Sequence, residues 1–183
     1  MRYLKNSDAL SIQKFEERAL ELAERSDCSE SHYGAVIFKG AEVLGEGYNH
    51  VADPFTDEYS CTVDCPRSGA DLHNGVGFEL CISTHAEEAA INDMLLNWRH
   101  SKQESGGAQI IVARIKNGTR IIPRTVEPYC TRCASKIVTE TLASDVMMRT
   151  EKGIVAFDPK EFFRLSVGNL YRSWKEMLPD KLK

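Results

Sequence analysis

No stretch of the chain approaches the roughly 18 apolar residues that a membrane-spanning helix needs, and the first ten residues hold no apolar core of signal-peptide length. No membrane partner is expected, and the cytoplasm is the expected location. An excess of positive charge is also lacking. Lysine and arginine total 23 against 27 aspartate and glutamate, a formal net charge of −4 with a pI near 5.8. Long nucleic acids are held through many Lys and Arg contacts to phosphate, and no basic, aromatic-interleaved stripe is present. A polynucleotide partner is therefore not expected, whereas one or two local arginines would suffice for a small anion. There is no internal repeat and no low-complexity tract.

What is present suits one well-buried domain spanning 1–183, with 42% hydrophobic and 27% charged residues. Six cysteines in a reducing compartment point to metal ligands or free thiols before disulfides. Ile12, Phe15, Ala19, Leu22 and Ala23 recur at helical spacing and predict a helix over 7–25. Residues 33–39 and 42–49 read as a strand pair with Gly40 at the turn. A helix from Thr84 to about Trp98 follows, then a strand over 108–115, a helix over 130–142, and strands over 145–148 and 153–157. A helical extension over about 159–183 closes the chain. This order predicts an α/β fold, a three-layer α/β/α sandwich around a mixed five-stranded sheet. Phe162, Phe163, Leu165, Leu170 and Trp174 read as core or oligomer packing.

Residues 50–82 break the regularity with Pro54, Pro66, Gly69, Gly75, Gly77, three cysteines and His73. An irregular insert this long is uncommon in a compact domain unless it is functional or held by something, and metal ligation is one way to hold it.

The sharpest local pattern is His85-Ala86-Glu87 followed by Pro128-Tyr129-Cys130-Thr131-Arg132-Cys133. One imidazole and two thiols supply three ligands to a tetrahedral zinc and leave one position open, the arrangement of catalytic sites. Both groups fall where helices begin, and the partial positive charge of a helix N-terminus favours thiolate over thiol. Cys130 and Cys133, three apart, share a face of the first turn. Glu87, two places after His85, projects beside the metal and is placed to exchange a proton with a bound water. Plainer readings exist for each part. Thr84-x-x-Glu87 fits a capping box, a lone C-x-x-C can be a redox pair, and a structural zinc would recruit a fourth ligand.

The H-x-E and P-C-x-x-C pairing is the signature of zinc nucleobase deaminases. Arg25-Ser-Asp-Cys28, Gly34-Ala-Val-Ile37, Gly47-Tyr-Asn49, Cys65-Pro-Arg67, Glu79-Leu-Cys81 and His85-Ala-Glu-Glu88 resemble the bacterial and phage deoxycytidylate deaminases over about residues 10–157. The resemblance implies zinc on His85, Cys130 and Cys133, proton transfer by Glu87, and contact of Asn49 with sugar or base. It places the backbone N–H of Ala86 against a base oxygen. The implied reaction converts dCMP to dUMP and ammonia. The chain departs from the family pattern in three places: Tyr129 stands between Pro128 and Cys130, alanine replaces an asparagine after His85-Ala-Glu-Glu88, and His50 replaces a glycine after Asn49. None removes a ligand or the carboxylate.

Some relatives bind a second, structural zinc with residues from these regions, which draws attention to Cys28, Cys61, Cys65, His73 and Cys81, more candidates than the four needed. Arg67, Arg120, Arg124 and Arg132 are candidates for a substrate phosphate. The expected partner is a small nucleotide, and by analogy the chain forms a homo-oligomer. Two other functions are open at this point: a deaminase of another free nucleoside, base or related heterocycle, and a non-catalytic zinc-stabilised nucleotide-binding protein.

Overall fold

The computed structural model describes residues 1–52, 58–63, 65–70, 77–126, 128 and 130–177. Among these, β1 (Arg2–Tyr3) leads to α1 (Asn6–Ser11) and α2 (Gln13–Ala23), then to β2 (His32–Lys39) and β3 (Glu42–Tyr48). After the two-residue strands β4 (His50–Val51) and β5 (Ser83–Thr84) come α3 (Ala86–Asn92) and a π-helical turn over Asp93–Asn97. β6 (Gln109–Lys116), β7 (Thr119–Arg120), α4 (Thr131–Glu140), β8 (Asp145–Thr150), β9 (Gly153–Phe157) and α5 (Pro159–Met177) complete the order.

The main sheet runs β1-β9-β8-β6-β2-β3, with β7 added to β6. The β6–β8 pair is parallel and the other pairs in this sheet are antiparallel, so the sheet is mixed as expected. It has seven strands rather than five. The additions, β1 on β9 and β7 on β6, are two residues each and too short to carry a period-2 pattern.

Period-2 alternation divides the core into two layers. From β2 and β6, Ala35, Ile37, Ile110 and Val112 face α3, α4 and the start of α5, meeting Ala90, Ile91, Ala134, Ile137 and Phe162. Val36, Phe38, Ile111 and Ala113 face the other way, onto Phe15, Ala19 and Leu22 of α2. A parallel strand pair covered on both faces by helices is the usual three-layer solution.

The helix expected over 7–25 is broken at Ile12, which has φ −103° and ψ 0°. The break lets Ile12 enter the core with α2 while α1 buries nothing. The helix expected from Thr84 starts two residues later, at Ala86, because Ser83 and Thr84 pair with Val51 and His50.

Glycine sets how close α3 comes to the sheet. A Cβ on Gly47 would lie 2.6 Å from the Ala86 carbonyl oxygen, and one on Gly45 would lie 2.8 Å from Met94 Cβ. Only a strand without side chains at these positions lets the helix backbone rest on it. No described helix is long and apolar enough to cross a membrane.

Candidate metal centre

The helix starts expected to carry the ligands do meet. Cys130 is the N-cap of α4, and its Sγ accepts a hydrogen bond from the Cys133 backbone N–H at 3.2 Å. That bond folds the first turn so that both sulfurs face one side. His85 occupies the N-cap position of α3, and its Nδ1 lies 3.2 Å from Cys130 Sγ and 3.1 Å from Cys133 Sγ. All three donor atoms fall within 4.8 Å of one another. Zinc bonds of 2.0–2.3 Å at tetrahedral angles put such donors about 3.5 Å apart, so the set fits the ion after shifts of a few tenths of an ångström.

The electrostatics divide the three donors. The Cys133 side-chain contact, a His85 hydrogen bond and the Cys133 N–H hold the Cys130 thiol below its ordinary range, although burial opposes them. Burial pushes the Cys133 thiol up. Burial alone would lower His85, but its hydrogen bonds to Cys130 and Cys81 outweigh it and push the imidazole up to about 10. Cys130 is thus set up as the thiolate that zinc ligation requires, whereas His85 and Cys133 each give up a proton when an ion binds.

Glu87 lies at the second position of α3 with 8% of its surface exposed. Burial, and then the Cys130 charge, push its carboxyl above the usual range, with His85 opposing. The capping box that is the plainer reading of Thr84-x-x-Glu87 is not formed. Thr84 belongs to β5, and the backbone N–H of His85 is capped by Glu88, whose Oε2 accepts it at 3.0 Å.

Sequence reasoning treated Glu88 as a motif letter and Arg132 as a phosphate candidate, and so missed their pairing. Arg132 Nη2 lies 2.8 Å from Glu88 Oε2 and donates to the Ser83 carbonyl at 2.9 Å. One guanidinium therefore ties the start of α4 to the start of α3 and to the strand before it. Cys81 was also assigned elsewhere, yet it hydrogen-bonds His85. The Phe78 ring packs edge-on to His85, with centroids 5.3 Å apart, and Arg67 lies 4.7 Å over the Phe78 ring.

Asn49 is buried, with its Nδ2 donating to the Ser31 carbonyl at 2.9 Å and its Oδ1 accepting from the Tyr33 N–H at 2.6 Å. It joins the end of β3 to the approach to β2, and the β4–β5 pair carries the following residues alongside the segment leading to His85. The Ala86 N–H, in the first turn of α3, has no carbonyl four residues back to accept it within the helix.

The remaining candidates are less gathered. Cys28, Cys61, Cys65 and Cys81 are free thiols, and His73 lies outside the described residues. Among the described residues, only His85, Cys130 and Cys133 form a group of three or more donors close enough to share an ion. Cys61 Sγ is 2.9 Å from Ser83 Oγ, and burial pushes its thiol up to about 11. Arg120 pairs with Glu16 of α2, which Arg149 also holds at 2.6 Å, and Arg124 lies 3.7 Å from Glu151.

Comparison with known proteins follows the same lines. Residues 10–149 match the family model described as the cytidine and deoxycytidylate deaminase zinc-binding region. A deoxycytidylate deaminase of Mycobacterium phage D29 is 36% identical over 78 residues, which is 40% of this chain and 58% of the phage protein. The matched segment thus spans little more than half of that relative's length. The crystal structure of the dCMP deaminase of cyanophage S-TIM5 in complex with dCMP and dUMP is similar with a TM-score of 0.53 at 16% identity, covering 93% of this chain and 94% of that one. The apo form of that enzyme gives 0.50 at 16% identity, covering 80% and 86%. These two structures show a shared fold.

Proposed function

The chain belongs to the cytidine and deoxycytidylate deaminase family, and from that membership we propose that it hydrolytically deaminates a free cytosine nucleotide, dCMP to dUMP and ammonia. His85, Cys130 and Cys133 hold the zinc, and Glu87 moves the protons. The observation that carries this is the approach of His85 Nδ1 to both sulfurs at 3.1–3.2 Å, with the buried Glu87 carboxyl beside them.

Bound on these three residues, zinc would supply a Lewis acid that lowers the pKa of a water to about 7. The Glu87 carboxylate accepts the proton that water loses as its oxygen adds to C4 of the base. It passes that proton to ring N3, then carries the second proton to the amine, which leaves as ammonia. A carboxyl raised by burial holds a proton between transfers better than an exposed one. The Ala86 N–H donates to the base oxygen, and Asn49 holds the wall on the sugar side.

For the phosphate we take Arg67, which stacks over Phe78, whose ring abuts His85. A homo-oligomer and a cytoplasmic location belong to the same proposal. Ammonia release across a panel of cytosine bases, nucleosides and nucleotides tests it. Turnover concentrated on dCMP supports the assignment, and turnover on another member of the panel replaces the substrate while keeping the chemistry.

A further inference from the structure

α5 begins ten residues beyond the segment matched by the family model, yet it reaches the zinc loop. Its buried face is unusual for a packing helix. Phe163 packs against the core beside Phe162, and further along the most deeply buried residues are Ser166, Asn169 and Ser173, whereas Leu165, Tyr171 and Trp174 lie exposed. Three buried polar residues depart from an ordinary apolar stripe, and buried polar groups need partners. Asn169 has one. It is 5% exposed, and its Nδ2 donates to the carbonyl of the buried Pro128 at 2.6 Å, across 41 residues of sequence. Pro128 stands two residues before Cys130, and α5 packs along α4, the helix that Cys130 caps and in which Cys133 lies.

We propose that Asn169 is a positioning residue for the metal: α5 acts as a strut, and the Asn169–Pro128 hydrogen bond fixes the loop that presents Cys130. Pro128 cannot donate a backbone hydrogen bond, and φ is fixed only at Pro128 itself. An outside donor on its carbonyl restrains the peptide that leads to the ligand. Without that donor the carbonyl is buried and unpaired, and the approach to Cys130 loosens. The inference rests on the zinc reading of His85, Cys130 and Cys133.

The test is the rate at which zinc passes from the folded, zinc-loaded protein to a chromophoric chelator, measured well below the unfolding temperature. Asn169→Leu keeps the side-chain volume and removes the donor, while Phe162→Leu disturbs the packing of the same helix without touching the loop. Groups hydrogen-bonded to a ligand contribute about 10–100-fold to metal affinity, and Asn169 acts one step further out, on the carbonyl two residues before Cys130. Asn169→Leu is therefore expected to release zinc about tenfold faster than the wild type, the low end of that range, with Phe162→Leu unchanged even where its Tm falls as far. Asn169→Ala serves in its place if the leucine variant does not fold. Equal release from the Asn169 variant and the wild type overturns the proposal, as does equally fast release from Phe162→Leu. Failure of both Asn169 variants to fold also overturns it, since that marks a core residue. A wild-type chain that retains no zinc overturns the metal reading itself, a distinct result.

Discussion

Glu88 accepts the backbone N–H of His85 at 3.0 Å and the Arg132 guanidinium at 2.8 Å on the same carboxylate oxygen. Two neighbouring glutamates thereby divide the work at one helix start. Glu88 caps α3 and bridges to α4, while Glu87 is buried beside His85 and Cys130. Removing Arg132 should strand a carboxylate that is only 12% exposed. Arg132→Met is expected to lower stability by about 1–2 kcal/mol, between the values for exposed and buried pairs, and to weaken zinc binding. Glu88→Gln retains a capping oxygen and should cost less in both. Denaturant titration and competition with a metal indicator measure the two effects, and an Arg132→Met variant as stable as the wild type counts against the bridge.

The glycines under α3 lead to a second expectation. Gly47→Ala places a methyl against the Ala86 carbonyl and the Ala90 backbone, neither of which can swing aside. Overpacking of this kind costs about 1–3 kcal/mol and at times more, and the upper end applies because the obstacle is helix backbone. Chemical denaturation should show the loss together with weakened zinc binding. A cost below about 0.5 kcal/mol, the range of a neutral surface change, would mean the helix does not sit this close.

Cysteine reactivity separates the thiols of the 50–82 insert. Burial pushes Cys61 up to about 11, so near pH 8 only about one molecule in a thousand carries a thiolate there. Burial also raises Cys65, but hydrogen bonds from the Ser68 hydroxyl and from backbone N–H groups outweigh it and leave this thiol below its ordinary range. Iodoacetamide at pH 8 should alkylate Cys65 at least tenfold faster than Cys61, followed by peptide mass mapping. Equal rates contradict the assignment, and acceleration at Cys65 on adding a chelator reports a second zinc bound there.

Arg67 gives the substrate test at residue level. Arg67→Ala should raise KM for dCMP by about tenfold or more, the loss of one charge-assisted contact of about 1.5–3 kcal/mol, and leave deoxycytidine turnover nearly unchanged. Equal effects on the two substrates would place the phosphate elsewhere.

Much of this was legible in the sequence, for identifiable reasons. The near-continuous apolar runs in 33–39 and 108–115 marked buried strands, and His85, Glu87, Cys130 and Cys133 stood out because few residue types ligate zinc. Glu88 and Arg132 were not legible as a pair, since salt bridges across 44 residues leave no local spacing. Thr84 fitted a capping pattern, but its pairing with His50, which no short window contains, drew it into β5. The break at Ile12 was hidden because Ile12, Phe15 and Ala19 keep helical spacing across it. Phe162 joins the core and Phe163 packs against it, as core packing requires, whereas the contact of Asn169 with Pro128 spans 41 residues and leaves no local spacing.

The most direct test of the account is ammonia release by Glu87→Gln alongside its zinc content. Glutamine keeps the size and the hydrogen-bonding atoms but cannot accept and return a proton. The variant should bind one equivalent of zinc, unfold near the wild-type temperature, and lose about 10²–10⁴-fold in kcat. Wild-type turnover in Glu87→Gln with zinc in place would contradict the assignment of proton transfer to this residue.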